Sequence, residues 1–503
     1  MGFKYRPDQC DAAIDGEAIP DKLGGCHILC LIRGIRYHPG FATELQEQSH
    51  RKIITRAFNA RSIMSNVIPD MTAPDDMPYC IWYPDIATEE TYRKLAARYP
   101  QVRYQVGRAC AVAGYVDLYK ELNLLPDVHI AEEARNNRCT EIHDLIMGAE
   151  AKYDVMNDYN RTVNLENPPK SYLNGDTQVR SLLEVKHAHE KDWQFGDNLW
   201  YFNITEDMNI DSYTTYGDEA ITEDVTPFLY APLPVDLPTV NKDLLILTAA
   251  YYGDIDRYVR LRRPMMIYRE NVCVVRGIFH NTMFAKWWSL QDLTNIPVSS
   301  QIEAAISARF IMNNDLSYVL AHPRAAPDCI WYPNVASWST YLELAKRIPE
   351  MAGTVARACI VANLAATYRD LPDFKPSWEM VLEAKECPNP FFLEDLKRRA
   401  VEHGIDPDCS WPQNEPWRWD PIGCTVRQVG LQRPSLSLYS KVDARYVVAD
   451  TDYTSIYNGY CCSISQVEAF VCAPEEWRNK GLRDIEDLYK DAALLDKFQQ
   501  MGL

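Results

Sequence analysis

The sequence predicts a mainly α-helical protein, organised as a helical-repeat solenoid of two tandem duplicated modules. Three observations support this prediction. The word CIWYP occurs at 80–84 and again at 329–333, and the 43 residues that begin at each copy are identical at 20 positions. Apolar residues follow each word at helical spacing. Short stretches with the pattern of a helix pair recur along the chain.

The similarity between the two copies extends upstream of the repeated word. The stretch that begins at Cys30 pairs with the stretch that begins at Cys273, and Asn59 pairs with Ser307. The predicted organisation is a first module at 20–235 with a strand-containing segment at 153–235, a linker with a helix pair at 236–261, a second module at 262–476 and a C-terminal capping helix at 477–503.

Each CIWYP word leads into a predicted helix. Thr88 and Ser337 stand just before the two helical patterns, where a hydroxyl can accept a hydrogen bond from a free amide of the first turn. Pro100 and Pro349 are predicted to end both helices, because the residue before proline avoids the α region. The word itself supplies apolar side chains, so we predict a packed lead-in to a capped helix.

Three stretches have the pattern of a helix pair: two small residues, a spacer, Gly or Asn, and an amphipathic turn that ends in Leu. They lie at 110–122, 249–261 and 359–371. Small residues let two helices approach closely, and Gly or Asn tolerates the left-handed backbone of the turn between them. Further helices are predicted at Arg276–Trp288, Glu303–Met312 and Met380–Glu386.

These helix pairs resemble ankyrin repeats, although the Thr-Pro-Leu-His turn word of that family is replaced by a faint echo at Thr226. The chain as a whole resembles uncharacterised ankyrin-like proteins of filamentous fungi, whose members carry segments similar to VRGIFHNTMFAKWW and AAYYGDIDRYVRLRRP. The resemblance implies an architecture and leaves the activity open.

Two regions depart from the helical pattern, 153–243 and 405–470. Both are rich in Tyr, Trp, Val and Pro, with strand-like runs at Leu199–Ile204 and Ala444–Ala449. We therefore predict some sheet at the end of each module.

Composition restricts the class of protein. The net charge of −18 and the pI near 5.1 argue against binding to a phosphate backbone, which requires a basic surface. No apolar run approaches the ~20 residues of a membrane-spanning helix. Fifteen cysteines without a signal-peptide pattern predict reduced thiols in the cytoplasm, with the nucleus as the alternative.

The sequence contains no phosphate loop, dinucleotide fingerprint or zinc-protease motif, so no cofactor is predicted. His187 and His189 with Glu190 could offer metal ligands, but their Lys-rich surroundings favour a solvated surface. The adjacent Cys461 and Cys462 are predicted to be buried thiols. No metal site follows.

Two short motifs, Asp75-Asp76 and Asn157-Asp158, resemble parts of the magnesium motifs of terpene cyclases. The other acidic ligands of those motifs are missing, and we reject the match. The acidic run at 206–224 is predicted to be an exposed loop.

Four pairs of arginines recur in both copies, and these are the candidate binding or structural residues. The pairs are Arg33 with Arg276, Arg61 with Arg309, Arg98 with Arg347, and Arg108 with Arg357. One interpretation is that they cap helix carboxyl ends with buried stems, which suits Arg98 before Pro100. The other is that they line a groove and clamp carboxylates or phosphates. The structural interpretation is favoured.

The repeated Cys80 and Cys329 are predicted to be core residues. A nucleophilic cysteine needs a neighbouring base that lowers the pKa of its thiol, and the two copies share no histidine.

Three functions remain open. The first is a non-enzymatic scaffold that binds another protein through aromatic side chains on the solenoid surface. The second is an enzyme or accessory protein acting on a small metabolite, for example in fungal natural-product biosynthesis, with a site between the modules or in the Tyr/Trp-rich segments and His129, His143 or His280 as the base. The third is a structural protein that self-associates. A deep pocket that joins one of these histidines to a carboxylate and an arginine would favour the second, and a shallow aromatic groove without perturbed titratable groups would favour the first.

Overall fold

The structure is a computed structural model, and it describes most of the chain before residue 406. The described residues are 6–24, 26–46, 51–175, 204–205, 227–240, 242–264, 266–267, 270–294, 296, 299–331 and 334–405. Twenty α-helices and two short strands lie in these residues, which confirms a mainly α fold. The predicted strand at Ala444–Ala449, most of the one at Leu199–Ile204, and the capping helix at 477–503 fall outside them.

The described residues form two compact units. The first takes those before residue 224 together with 232–242 and 263–268, and the second takes 227–231, 243–262 and those from 270 onward. The helix pair that the sequence assigned to a linker at 236–261 therefore lies mostly in the second unit.

The first unit contains eight helices and one small sheet in its described part. The helices are α1 Pro7–Ile14, α2 Cys26–Tyr37, α3 Lys52–Met64, α4 Glu89–Arg98, α5 Arg103–Ala113, α6 Val116–Leu122, α7 Val128–Asn136 and α8 Thr140–Met147. Packing runs between neighbours: α1 with α2, α2 with α3, α4 with α5, α5 with α6 and α7, and α7 with α8.

The second unit continues the helical pattern with twelve described helices. They are α9 Pro227–Tyr230, α10 Asp243–Tyr252, α11 Ile255–Leu261, α12 Glu270–His280, α13 Thr282–Trp288, α14 Ser299–Met312, α15 Ser317–Ala321, α16 Trp338–Arg347, α17 Ala352–Val361, α18 Ala365–Arg369, α19 Trp378–Glu386 and α20 Phe391–Glu402. Helix α12 packs between α10 and α14, and α17 packs on α19.

The turns of the three predicted helix pairs have the expected backbone. Gly114, Gly253 and Asn363 adopt positive φ angles of 77°, 67° and 55°, and each stands between two helices. Glycine reaches this region without steric cost, and asparagine reaches it more readily than most residues. The prediction of these helix pairs is confirmed.

The predicted helix over Arg276–Trp288 is wrong as a single element. Helix α12 ends at His280 and α13 begins at Thr282. Asn281 separates them, because its Oδ1 accepts hydrogen bonds from the amides of Met283 and Phe284 and so caps α13. Apolar periodicity continues through this cap and conceals it.

The sheet in the described residues is one antiparallel hairpin of β1 Met156–Asn157 and β2 Thr162–Val163. It lies inside the segment where the sequence predicted strands. We refer to residues 153–163 as the hairpin segment.

The Cys-Ile-Trp part of each CIWYP word is buried, as predicted. Cys80 and Ile81 have no exposed surface, and Trp331 is 2% exposed. Both helices after the words carry their predicted caps, since Thr88 accepts from the amide of Thr91 and Ser337 from that of Thr340.

Thr88→Ala and Ser337→Ala should each lower the free energy of unfolding by about 1 kcal/mol, the usual cost of losing an N-cap. Urea denaturation of each variant measures the loss. Ser317→Ala, at an exposed position that begins α15, is the control and should change stability by less than about 0.5 kcal/mol. Equal losses for all three variants would contradict a capping role.

No helix in the described ranges combines the length and the apolar composition that crossing a membrane requires.

Candidate functional site

A buried arginine joins three elements of the first unit. Arg108, on α5, is 2% exposed. Its Nη1 and Nη2 donate to Asp158 Oδ1 and Oδ2 at 2.5 and 3.1 Å, and its Nε donates to Glu133 Oε2 at 2.8 Å. Because Glu133 lies on α7 and Asp158 in the hairpin segment, one guanidinium holds both against α5.

Two aromatic side chains complete this group, one just before the CIWYP word and one inside it. The guanidinium of Arg108 lies 4.9 Å from the ring centroid of Trp82. The hydroxyl of Tyr79 donates to Asp158 Oδ1 at 2.6 Å, and burial raises the pKa of Tyr79 so that it keeps its proton. We call Tyr79, Trp82, Arg108, Glu133 and Asp158 the arginine cluster.

The charge of Asp158 depends on its partners. Burial alone would raise the pKa of this carboxyl. The positive charges of Arg108 and His129 and the hydrogen bonds that it accepts outweigh burial, so the pKa of Asp158 lies below its ordinary value. The cluster therefore holds an ionised carboxylate in the interior.

Asp127 ties the start of α7 to the hairpin segment. Its side chain has no exposed surface. Oδ1 accepts from the amide of Ile130 at 3.0 Å and caps α7, while Oδ2 accepts from the amides of Val155 and Met156 at 2.8 and 3.0 Å. Both oxygens of this carboxylate are thus engaged by backbone donors.

His129 stands one turn from the arginine cluster and faces the same segment. Its Nδ1 lies 3.5 Å from Asp154 Oδ1 and 3.9 Å from Asp127 Oδ1. His129 Nδ1 and Asp154 Oδ1 are both buried and make no hydrogen bond, although 27% of the imidazole side chain is exposed.

Opposing effects determine the protonation of this pair. Burial lowers the pKa of His129, but the negative charges of Asp158, Asp127 and Asp154 outweigh burial and raise it above the ordinary value. Burial raises the pKa of Asp154, while the charge of His129 lowers it in part. The arrangement favours a protonated imidazole beside a carboxylate.

The second unit has a related group of side chains around Arg357. Arg357, on α17, donates from Nε and Nη2 to Glu383 Oε1 at 3.1 and 2.8 Å, and its guanidinium lies 4.8 Å from the ring centroid of Trp331. Counted from the two glutamates, Ser377 stands where the first unit has Asp127, and Glu379 stands where it has His129.

Two other shared arginines bind helix carboxyl ends. Arg61 Nη1 donates to the carbonyl of Arg36 at 2.9 Å, and Arg309 Nη1 donates to the carbonyl of Phe279 at 3.0 Å. Both carbonyls lie in the last turn of a helix, where a positive charge complements the helix dipole. Burial lowers the pKa of Arg309.

Arg276 and Arg33 rest on tyrosine rings. Arg276 donates to the carbonyl of Tyr251 at 2.9 Å, and its guanidinium lies 3.9 Å from that ring's centroid. The guanidinium of Arg33, which is 5% exposed, lies 4.7 Å from the centroid of Tyr37. Both guanidinium groups thus lie within the distance of a cation–π interaction with a tyrosine ring.

The remaining pair lies at the surface. Arg98 forms an ion pair with Asp70 and not the predicted helix-end cap, and Arg347 donates to Glu343 at 2.6 Å along its own helix. Their side chains are 48% and 57% exposed. All eight shared arginines thus contact groups of this chain.

The shared cysteines are buried. Cys80 and Cys329 are at most 1% exposed, and burial raises the pKa of Cys110 and of Cys359 to about 12. Thiols with such pKa values stay protonated near neutral pH and are poor nucleophiles.

The other candidate bases lie apart from the cluster. His143 Nδ1 is 3.1 Å from Asp144 Oδ1 and its Nε2 is 3.7 Å from Asp236 Oδ2, while His280 ends α12. His187, His189, Cys461 and Cys462 lie outside the described residues. Within the described ranges, no group of three or more His, Cys, Asp or Glu side chains could hold a metal ion.

Sequence reasoning nominated Arg108 and His129 but missed the acids that surround them. The only local signal at Asp158 was its resemblance to part of a magnesium motif, which we rejected. Asp127 precedes an apolar helical pattern, which is the usual signal for an N-cap and could have been recognised. Glu133 and Asp154 carry no comparable local signal.

The part of the chain that holds these residues is similar to known proteins. A model of the YKP1 C-terminal domain family matches residues 82–183. The chain is also 24% identical over 155 residues to the uncharacterized killer plasmid pGKl-2 protein 1 of Kluyveromyces lactis. That alignment covers 31% of this chain and 66% of the relative, just under two thirds of its length. No solved structure matches the chain significantly. The residues from Trp82 to Asp158 of the site therefore lie in a segment similar to the YKP1 C-terminal domain.

Proposed function

We propose that this protein is a non-enzymatic scaffold, made of two duplicated modules of ankyrin-like helix pairs, that binds another protein. The packing order within each unit supports the solenoid. Helices α10, α12 and α14 pack in succession, as do α1, α2 and α3. Stacking of each pair on its neighbours in sequence is the pattern of repeat proteins.

Matched contacts in the two units support the duplication. The hydroxyl of Tyr92 donates to the carbonyl of Ile81 at 2.8 Å, and that of Tyr341 donates to the carbonyl of Ile330 at 3.0 Å. Each tyrosine hydroxyl also accepts from a backbone amide five residues earlier, at 3.1 Å. Chains that converge by chance do not share buried contacts residue by residue.

One exposed tryptophan carries the proposal of protein binding. Trp338, in the first turn of α16, is 61% exposed, and Val335 before it is 48% exposed. Met283, in the first turn of α13, is 65% exposed. Tryptophan is strongly enriched among residues that dominate interface energy. The aligned position in the first copy is Glu89, so the tryptophan is private to the second unit.

Hydrogen bonds connect these two first turns through the turn after α14. Asn313 Nδ2 donates to Thr282 Oγ1 at 3.2 Å, and Asn314 Oδ1 accepts from the amide of Ser337 at 2.7 Å. The turn that follows α14 is thereby bonded to the starts of both α13 and α16. We call the exposed side chains of Met283, Val335 and Trp338 the tryptophan edge.

Charge indicates the kind of partner. With a net charge of −18, two copies of the chain repel each other at long range. A protein with a net positive charge is attracted by the same field. The occupant that we propose for the tryptophan edge is therefore a basic protein and not a second copy.

A small-molecule enzyme is the second candidate, favoured by His129. This histidine lies beside Asp154 and Asp127 and in the same unit as Arg108. However, Arg108 is bound by Glu133 and Asp158 on both edges of its guanidinium. The group that would clamp a substrate is already occupied, and for this reason the scaffold is preferred.

A photo-crosslinking side chain at position 338, introduced into the full chain in its native cells, tests the scaffold. We expect one basic protein to crosslink at 338 and none at the matched position 89. With that protein purified, Trp338→Ala should weaken binding about 30-fold, the effect of an interface hot spot of about 2 kcal/mol, whereas Glu89→Ala should leave binding unchanged.

Two outcomes would contradict the scaffold. Crosslinks to a second copy of the chain would indicate self-association. A metabolite that copurifies with the chain and is lost in His129→Gln, together with no crosslinked protein, would favour the enzyme.

A further inference from the structure

Three side-chain connections join the hairpin segment to helices α5 and α7, beside the backbone hydrogen bonds of Tyr153 with Pro126 and Val128. Asp158 accepts two hydrogen bonds from Arg108, and Asp127 accepts hydrogen bonds from two backbone amides of the segment. The third connection is incomplete. His129 Nδ1 and Asp154 Oδ1 are 3.5 Å apart, both buried, and neither makes a hydrogen bond.

The charges around His129 and Asp154 are unbalanced. Facing His129 are Asp127 from the start of α7, Asp154 and Asp158 from the hairpin segment, and Arg108 from α5. Lys242 adds a positive charge near Asp154. With Glu133, which binds Arg108, four carboxylates stand against two cations. A proton on His129 reduces this imbalance by one charge and makes both ring nitrogens donors, so that Nδ1 donates towards Asp154.

We propose that His129 and Asp154 form a pH-operated latch, in which the doubly protonated imidazole pairs with Asp154 and bonds the hairpin segment to α7, and loss of one ring proton to solvent removes the positive charge and loosens the segment. The exposed part of the imidazole gives the proton a route to water. Loosening would uncover Val155 and Met156, which have no exposed surface in the closed form.

The direction of the pH effect follows from the raised pKa of His129. A histidine whose pKa is higher in the folded state stabilises the fold fully below its unfolded value, about 6.5. That stabilisation is lost as the pH rises through the higher folded value. The latch is therefore closed below about pH 6.5 and opens as the pH rises through the higher folded pKa of His129.

The first measurement needs no variant. Exchange of the C2 hydrogen of each histidine, followed by mass spectrometry across pH on the full chain, gives the titration midpoint of His129. We expect a midpoint above about 6.5, the unperturbed value of histidine. A His129 midpoint at or below this value overturns the latch.

The second measurement follows the segment itself. Amide hydrogen exchange of residues 153–163, corrected for intrinsic rates, should accelerate as the pH rises above about 6.5, by about tenfold for each unit by which the folded pKa of His129 exceeds the unfolded one. His129→Gln should abolish this acceleration, and the control His322→Gln, at an exposed histidine of the second unit, should retain it. An acceleration that survives in His129→Gln would overturn the proposal.

Discussion

Gly34→Ala and Gly277→Ala are each expected to destabilise the unit that contains them by about 1–3 kcal/mol or more, the cost of overpacking a core. A Cβ added at Gly34 would meet the carbonyl oxygen of Ala13, and one added at Gly277 would meet that of Ala250, closer than any ordinary contact. These oxygens are backbone atoms. To make room, α1 must move away from α2, and α10 from α12.

Thermal and urea unfolding of both variants test this expectation, with Gly353→Ala as the matched control. Gly353 lies on α17, and its added Cβ would meet only the terminal methyl of Met380 at 3.3 Å. A flexible side chain can yield, so the control should be neutral or up to about 1 kcal/mol more stable. If all three variants matched the wild type, the two helix crossings would be looser than described.

Asp158→Asn and Arg108→Met should each lower the free energy of unfolding of the first unit by about 3–5 kcal/mol, because each leaves buried charges without their partner. Arg93→Ala is the control. Arg93 binds Glu89 and Glu121, but its side chain is 37% exposed, so its loss should cost about 0–1 kcal/mol. Urea denaturation monitored within the first unit by amide exchange separates its transition from that of the second.

The pH dependence gives the same prediction a second readout. Because the pKa of Asp158 is lowered in the folded protein, its stabilisation is present above the unfolded value of about 3.8 and is lost as the pH falls through the lower folded value. Asp158→Asn should flatten the stability profile in this acidic range. A variant with the wild-type acid profile would show that Asp158 is not the ionised partner of Arg108.

The elements that the sequence predicted are those whose cause is local. The capping side chain of Thr88 lies three residues before Thr91, whose amide donates to it. The turns at Gly114 and Asn363 each depend on one backbone angle. The helix break at Asn281 has an equally local cause, but apolar spacing on both sides hid it.

The arginine cluster could not be predicted in the same way. Arg108 is 25 residues from Glu133 and 50 from Asp158, and only the packing of α5, α7 and the hairpin segment brings them together. Recurrence in both copies did identify the arginine as important. Nothing in the chain identified Asp158 as its partner or placed Asp154 beside His129.

The contrast between the two clusters suggests an order of events. On the proposed duplication, the arginine, glutamate and tryptophan found in both units date from the ancestral module. Asp127 and His129 belong to one copy, since Ser377 and Glu379 occupy their positions in the other. The ancestral contact was then an arginine–glutamate ion pair over an indole ring. One copy acquired a titratable histidine beside this contact, and the other kept the contact with no histidine at that position.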